Sequence, residues 1–138
     1  MEQVADETML KNALGEEGYD ELAEPGNIAA STDHKLWPAI KAAIREIYDP
    51  EIPVNVYELG LIYKVDIAEE KDGKSDVYVA MTLTSPGCPV AQEMPGWVQS
   101  AILPIEGVGN VDVEIIWDPT WDPSMMAETA KMQLNMFT

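Results

Sequence analysis

The sequence predicts an α+β domain of two layers, with helices on one face of a small mixed sheet, in the order α-β-β-α-β-α. Three observations predict it. Apolar residues recur at helical spacing over 36–47 and 90–102. They alternate over 61–67, 77–83 and 111–117. Proline- or glycine-bearing turns separate these runs. A chain of 138 residues suffices for one such core.

Residues 1–30 are set apart as an acidic, mobile N-terminal tail, and 31–138 as the single α/β domain. Residues 1–33 carry nine acids and one lysine, a net of −8, with Gly15, Gly18, Pro25 and Gly26 among them. A short amphipathic turn through Met9, Leu10, Leu14 and Leu22 is the alternative.

Ser31-Thr32-Asp33 reads as a helix N-cap, followed by the stripe Leu36, Ile40, Ala43, Ile44 and Ile47. Pro50 and Pro53 require that helix to stop by Asp49. Leu61, Tyr63, Val65 and Ile67 then share one face of a strand, and Val77, Val79, Met81 and Leu83 one face of the next. The charged turn 69–75, centred on Asp72-Gly73, makes them a hairpin. Val90, Met94, Trp97, Val98, Ala101 and Ile102 return to helical spacing. That helix begins near Glu93 with Pro95 in its first turn, or near Pro89 with a kink. Val111, Val113, Ile115 and Trp117 alternate as a third strand, parallel to the second across the helical crossover. Asp122 caps a last helix from Pro123 to about Leu134.

The net charge is −17, from 25 acids and 8 bases. Such a surface repels phosphate backbones and anionic bilayers, which excludes nucleic acid and membrane as first partners and favours basic ones. One cysteine forbids an intrachain disulfide and fits a reducing compartment. The segment MEQVADETML lacks the basic and apolar regions of a secretory signal, and no window reaches the roughly 18 apolar residues of a membrane span. A cytoplasmic location is expected.

The single cysteine, Cys88, lies in Thr84-Ser85-Pro86-Gly87-Cys88-Pro89, between a strand end and a helix start. Unpaired N–H groups at a helix opening favour thiolate over thiol, and a thiolate binds soft metals and iron–sulfur clusters. Thr84 and Ser85 can offer hydroxyls to the sulfur. A buried structural cysteine is the alternative. The only histidine, His34, reads as solvated or capping, and no CxxC or HxxH pattern occurs. One chain therefore cannot supply four sulfur or nitrogen ligands. A second subunit, a partner or a small thiol must complete any cluster site.

Two further constellations stand out. In Asp49-Pro50-Glu51-Ile52-Pro53 two prolines stiffen a turn and orient two carboxylates, which suits a hard cation, acid–base work or simple capping. Trp117-Asp118-Pro119-Thr120-Trp121-Asp122-Pro123-Ser124-Met125-Met126 concentrates aromatic and thioether surface. It reads as a docking site through Trp117, Trp121, Met125 and Met126, or as Trp117 ending a strand and Trp121 pinning the last helix.

Together DPEIPVNVYELGLIY, MTLTSPGCP and WDPTWDPSMMAETAKMQLNM resemble the SufT-type family of iron–sulfur assembly proteins, over about residues 34 to 138. That family is related to the phenylacetate-pathway D subunit and to the eukaryotic cytosolic cluster-targeting proteins. The form Cys88-Pro89-Val90-Ala91-Gln92-Glu93-Met94-Pro95-Gly96-Trp97 looks like its bacterial branch. The resemblance implies an iron–sulfur-cluster-assembly-type domain that is an accessory factor rather than an enzyme. Its implied partners are the SUF machinery and apo iron–sulfur proteins, and the single cysteine adds a homodimer as one source of the missing ligands. Its implied cargo is iron or an iron–sulfur cluster, held transiently. Carried over by position, Thr84 and Cys88 match the threonine-x-x-x-cysteine signature and Asp49, Pro50 and Glu51 the acidic turn. Cys88, Asp49 and Glu51 are then the expected metal contacts, with Thr84 beside the sulfur.

Overall fold

The computed structural model describes residues 12, 14–15, 18–19, 21–26, 28–84, 87 and 89–134. Met9, Leu10, Ser85, Pro86 and Cys88 lie outside the described residues. The elements are β1 (Ala29–Ala30), α1 (Trp37–Ile44), β2 (Ile62–Glu69), β3 (Ser75–Met81), α2 (Met94–Ile102), β4 (Val108–Ile115) and α3 (Glu128–Gln133). The strands form one mixed sheet in the order β1-β2-β3-β4, with β2 and β3 antiparallel and the outer pairings parallel. The two-layer α+β class, the hairpin and the parallel crossover follow the expectation from periodicity. The strand β1 is an addition that two alanines cannot announce.

Register builds one continuous apolar face. Val65 and Ile67 stand beside Val79 and Val77, and Val77, Val79 and Met81 beside Val111, Val113 and Ile115. Ile40 and Ile44 of α1 and Met94, Val98 and Ile102 of α2 close over it, all with no exposed surface. Each such side chain contributes about 1.5–3 kcal/mol of transfer free energy.

The alternation expected over 61–67 breaks at one point. A bulge between Ile62 and Lys64 places Ile62 opposite Met81, so Ile62 joins the core cluster and Tyr63 does not. Tyr63 instead donates its hydroxyl to the Pro119 carbonyl, 2.8 Å away.

Helix ends also depart from expectation. α1 begins at Trp37, and its leading N–H groups draw on His34, whose Nδ1 accepts from Leu36 N–H at 3.1 Å. Ser31 is not its cap, because the Ser31 hydroxyl accepts from Ile67 N–H in β2. Before α2 a 3₁₀ turn over Ala91–Glu93 leads into Met94, with Pro95 in the first turn, as the first alternative had it. The last helix is split. Asp122 does cap, accepting from Ser124 N–H at 2.8 Å, but only a 3₁₀ turn over Pro123–Met125. Met126 and Ala127 are extended, and α3 starts at Glu128. The break is tertiary: Ala127 N–H donates to the Glu58 carbonyl at 2.8 Å rather than to its own helix. β4 likewise ends at Ile115, short of Trp117, before the cis Asp118-Pro119 bond.

Candidate functional site

The loop between α1 and β2 has little regular structure, yet Val54, Val56, Tyr57, Glu58, Leu59 and Leu61 have no exposed surface. A buried loop must satisfy its own backbone. Here Asp49 N–H pairs with Val54 carbonyl, Val56 N–H with Ile47 carbonyl and Leu61 N–H with Val56 carbonyl. Asp49 starts this arrangement. Its Oδ1 accepts from Glu51 N–H at 2.7 Å and Ile52 N–H at 2.9 Å, an Asx turn that leaves only 5% of the residue exposed. Glu51 is exposed beside it.

The other Asp49 oxygen reaches Thr84. After β3 the chain is held by Thr82 N–H on Leu61 carbonyl at 2.8 Å and by Leu83, which is buried. The Thr84 hydroxyl then lies 3.4 Å from Asp49 Oδ2, a long contact, across 35 residues of sequence. Two of the three sequence constellations thus meet: the acidic turn sits against the threonine that precedes Cys88 by four positions. Among the described residues no group of three His, Cys, Asp or Glu side chains is gathered as a metal site, and Asp49 Oδ1 is committed to two amides.

The third constellation folds onto the Tyr57-Glu58-Leu59-Gly60 turn. Trp121 donates its indole N–H to Leu59 carbonyl at 2.7 Å. Gly60 sits at φ +82°, and a Cβ there would clash with the Met125 carbonyl oxygen. Only glycine permits that approach. Met126 is 5% exposed and belongs to the core, which corrects its expected place on a docking surface. Met125 is half-buried, with its sulfur 3.5 Å from the Tyr63 hydroxyl. Trp121 is half-buried with its polar edge taken. Trp117 is the exposed member, at 47%.

Under that turn lies a carboxylate that motif reading passed over. Glu58 has no exposed surface. Its Oε1 accepts from Tyr19 hydroxyl at 2.8 Å, from Thr129 hydroxyl and from Gln133 Nε2 at 3.4 Å. Its Oε2 accepts from Asn55 Nδ2 at 2.6 Å and faces Arg45 Nη2 at 3.3 Å. Glu58 N–H donates to Asn55 Oδ1 at 2.9 Å. The Glu58 N–H bond to Asn55 Oδ1 is half of a capping box, the carboxylate returning to the Asn55 side-chain amide instead of its backbone, and that three-residue spacing was the one signal the sequence carried. Tyr19 and Ala23 are fully buried, so this part of the acidic segment packs on the domain. Its β1 strand pairs with β2.

Next to Glu58, burial pushes the Tyr57 phenol up to about 12, with Arg45 opposing and Glu58 reinforcing the shift. Its hydroxyl bonds to Glu24, which also pairs with Lys41. The Tyr63 phenol is raised by burial and by Asp122. Hydrogen bonds from the Ser124 backbone and hydroxyl lower the Asp122 carboxyl.

Comparison with known proteins decides the family. The family model described as iron–sulfur cluster assembly protein matches residues 38–113, from the start of α1 into β4.

The chain belongs to this family.

It is 43% identical over 92 residues to the Fe-S protein maturation auxiliary factor of Porphyromonas gingivalis, covering 67% of this chain and 84% of that protein. It is 34% identical over 90 residues to the Fe-S protein maturation auxiliary factor SufT of Staphylococcus aureus, covering 65% of this chain and 98% of that one. Among solved structures it superposes on a domain of unknown function, DUF59, from Bacillus anthracis. There the TM-score is 0.59 and the identity 28%, with 70% of this chain and 89% of that one covered. The SufT-type resemblance and its fold are thereby shown. For this iron–sulfur assembly family member the matched span holds Asp49, Glu51, Glu58, Thr84 and Cys88, while the Trp117–Met126 block lies beyond it.

Proposed function

We propose that the chain is an accessory factor in iron–sulfur cluster maturation, with Cys88 as the thiolate ligand or transfer point for iron or cluster. The contact between Thr84 and Asp49 is the observation that supports it. It sets Thr84, four positions before Cys88, against the buried Asp49 turn within the span that the family model matches. The relatives' names, auxiliary factors of Fe-S protein maturation, point the same way and favour an accessory over an enzyme. Cargo is iron or a cluster held transiently. The remaining ligands come from a second subunit, a partner or a small thiol, since this chain has one cysteine. The partners are the SUF machinery and apo iron–sulfur proteins in the cytoplasm. Among the described residues no helix is long and apolar enough to cross a membrane.

The decisive experiment is iron and sulfide content of anaerobically purified protein, wild type against Cys88→Ser, with cluster-enzyme activity in cells carrying each. The variant should lose the metal and fail to support those enzymes while keeping its fold. A folded Cys88→Ser that supports them fully overturns the assignment.

A second reading is a metal-free adaptor, favoured by the exposure of Trp117. It requires Trp117→Ala to abolish function in cells while Cys88→Ser does not.

A further inference from the structure

The sheet has a second face, on which Lys64, Asp66, Asp112 and Glu114 are exposed. Strand alternation sends Lys64, Asp66, Tyr78, Ala80, Asp112 and Glu114 to the side opposite the core, with Tyr78 beside Asp112 and Ala80 beside Glu114. On that face lies a groove of about 500 Å³, lined by Ala29, Tyr63, Tyr78, Ala80, Ile116 and Pro119. Its two rings are held before anything binds. Tyr63 donates to the Pro119 carbonyl at 2.8 Å, and Tyr78 to Glu114 Oε2 at 2.9 Å. The bulge that sets Tyr63, itself only 7% exposed, outside the main core cluster makes one wall, and the loop after β4 makes the other. Among the described residues the one base in the lining, Lys64, is 3.3 Å from Asp66 Oδ2 and so is offset. Asp112 and Glu114 rim the face, and Asp118 adjoins Pro119.

The geometry points to this groove as a docking site for a basic, extended segment of a partner protein, one bulky apolar side chain seated between the tyrosines and its flanking Lys or Arg residues paired with Asp112 and Glu114. Charge complementarity selects the occupant. A second copy of this chain, at −17, would bring like charge to an acidic rim. An arginine beside the apolar residue also suits the tyrosine faces. The site is independent of Cys88, and its test contains no iron.

The probes are three capped synthetic peptides with a central leucine, phenylalanine or methionine between pairs of arginines, and three counterparts with glutamates for arginines. Amide spectra of the isotope-labelled chain should show saturable shifts at Tyr63, Tyr78, Ala80 and Ile116 with at least one basic peptide and with no acidic one. Glu114→Lys, an exposed change that leaves the spectrum folded, should weaken binding about tenfold, equivalent to 1.4 kcal/mol. Tyr78→Ala should weaken it independently. Raising salt from about 50 mM to about 500 mM should weaken it as well, because the rim pairs are screened. Shifts centred on another surface, equal binding of an acidic peptide, unchanged affinity in Glu114→Lys, or no saturable binding by any basic peptide would each overturn the assignment.

Discussion

The hydroxyl of Tyr19 donates to Glu58 Oε1 at 2.8 Å across 39 residues, inside a site sealed from water. The same carboxylate takes Thr129 and Gln133 from α3 and faces Arg45 just past α1. One side chain therefore fastens the N-terminal segment, the loop before β2 and the last helix to one point. A charge this deep is tolerable because its bonding capacity is filled.

Removing it should be costly. Glu58→Ala removes the carboxylate that faces Arg45 and that Tyr19, Asn55, Thr129 and Gln133 share, and should lose about 3–5 kcal/mol. Thr129→Val, which deletes one bond, should lose about 1–2 kcal/mol. Urea midpoints measure both. A Glu58→Ala protein as stable as wild type would show that the network contributes nothing net.

Gly60 and Gly73 have almost the same backbone angle, φ +82° and +81°, and differ in what surrounds them. Gly73→Ala meets open space and should cost about 1 kcal/mol, the left-handed penalty alone. Gly60→Ala also drives a methyl into the Met125 carbonyl and should cost at least twice as much, displacing the segment that holds Trp121. Denaturant curves for both variants and the fluorescence of the four tryptophans in Gly60→Ala test this.

Asp49 serves two amides strongly and Thr84 at a longer distance. Asp49→Ala should lose about 1–3 kcal/mol, since both amides lose a charged acceptor. Thr84→Val should stay within about 0.5 kcal/mol. If the turn positions the segment before Cys88, Thr84→Val still lowers cluster-enzyme support in cells at normal folded abundance. Full support from Thr84→Val would confine the contact to a structural role.

Tyr57 sets an alkaline limit. Its folded pKa, about 12, lies above the ordinary 10.0, so the native state holds its proton more tightly than the unfolded chain does. The stabilisation is complete below about pH 10 and is lost as pH rises towards 12. Tyrosinate absorbance should show a phenol titrating near 12 that Tyr57→Phe removes, and that variant should lose less stability over the same interval. An unchanged late phase in Tyr57→Phe would assign it to another residue.

Local pattern carried much of this protein. The stripe through Ile40 and Ile44 and the alternation through Val77, Val79 and Met81 report which side of an element faces the core, and Asp72-Gly73 reports where the chain reverses. A period needs only near neighbours to be read. The motifs around Asp49, Thr84 and Cys88 were equally plain, because turn prolines and a lone cysteine are unusual wherever they sit.

Distance along the chain hid the rest. That Asp49 meets Thr84, that Tyr63 leaves the core at a bulge, that Met126 is buried while Trp117 is not, and that Tyr19 in an acidic segment reaches Glu58 are facts about pairs far apart in sequence. Such pairs form only when register and loop path are settled together. A buried carboxylate is invisible in composition for the same reason: nothing local distinguishes it from the many solvated ones until its partners arrive from three other segments.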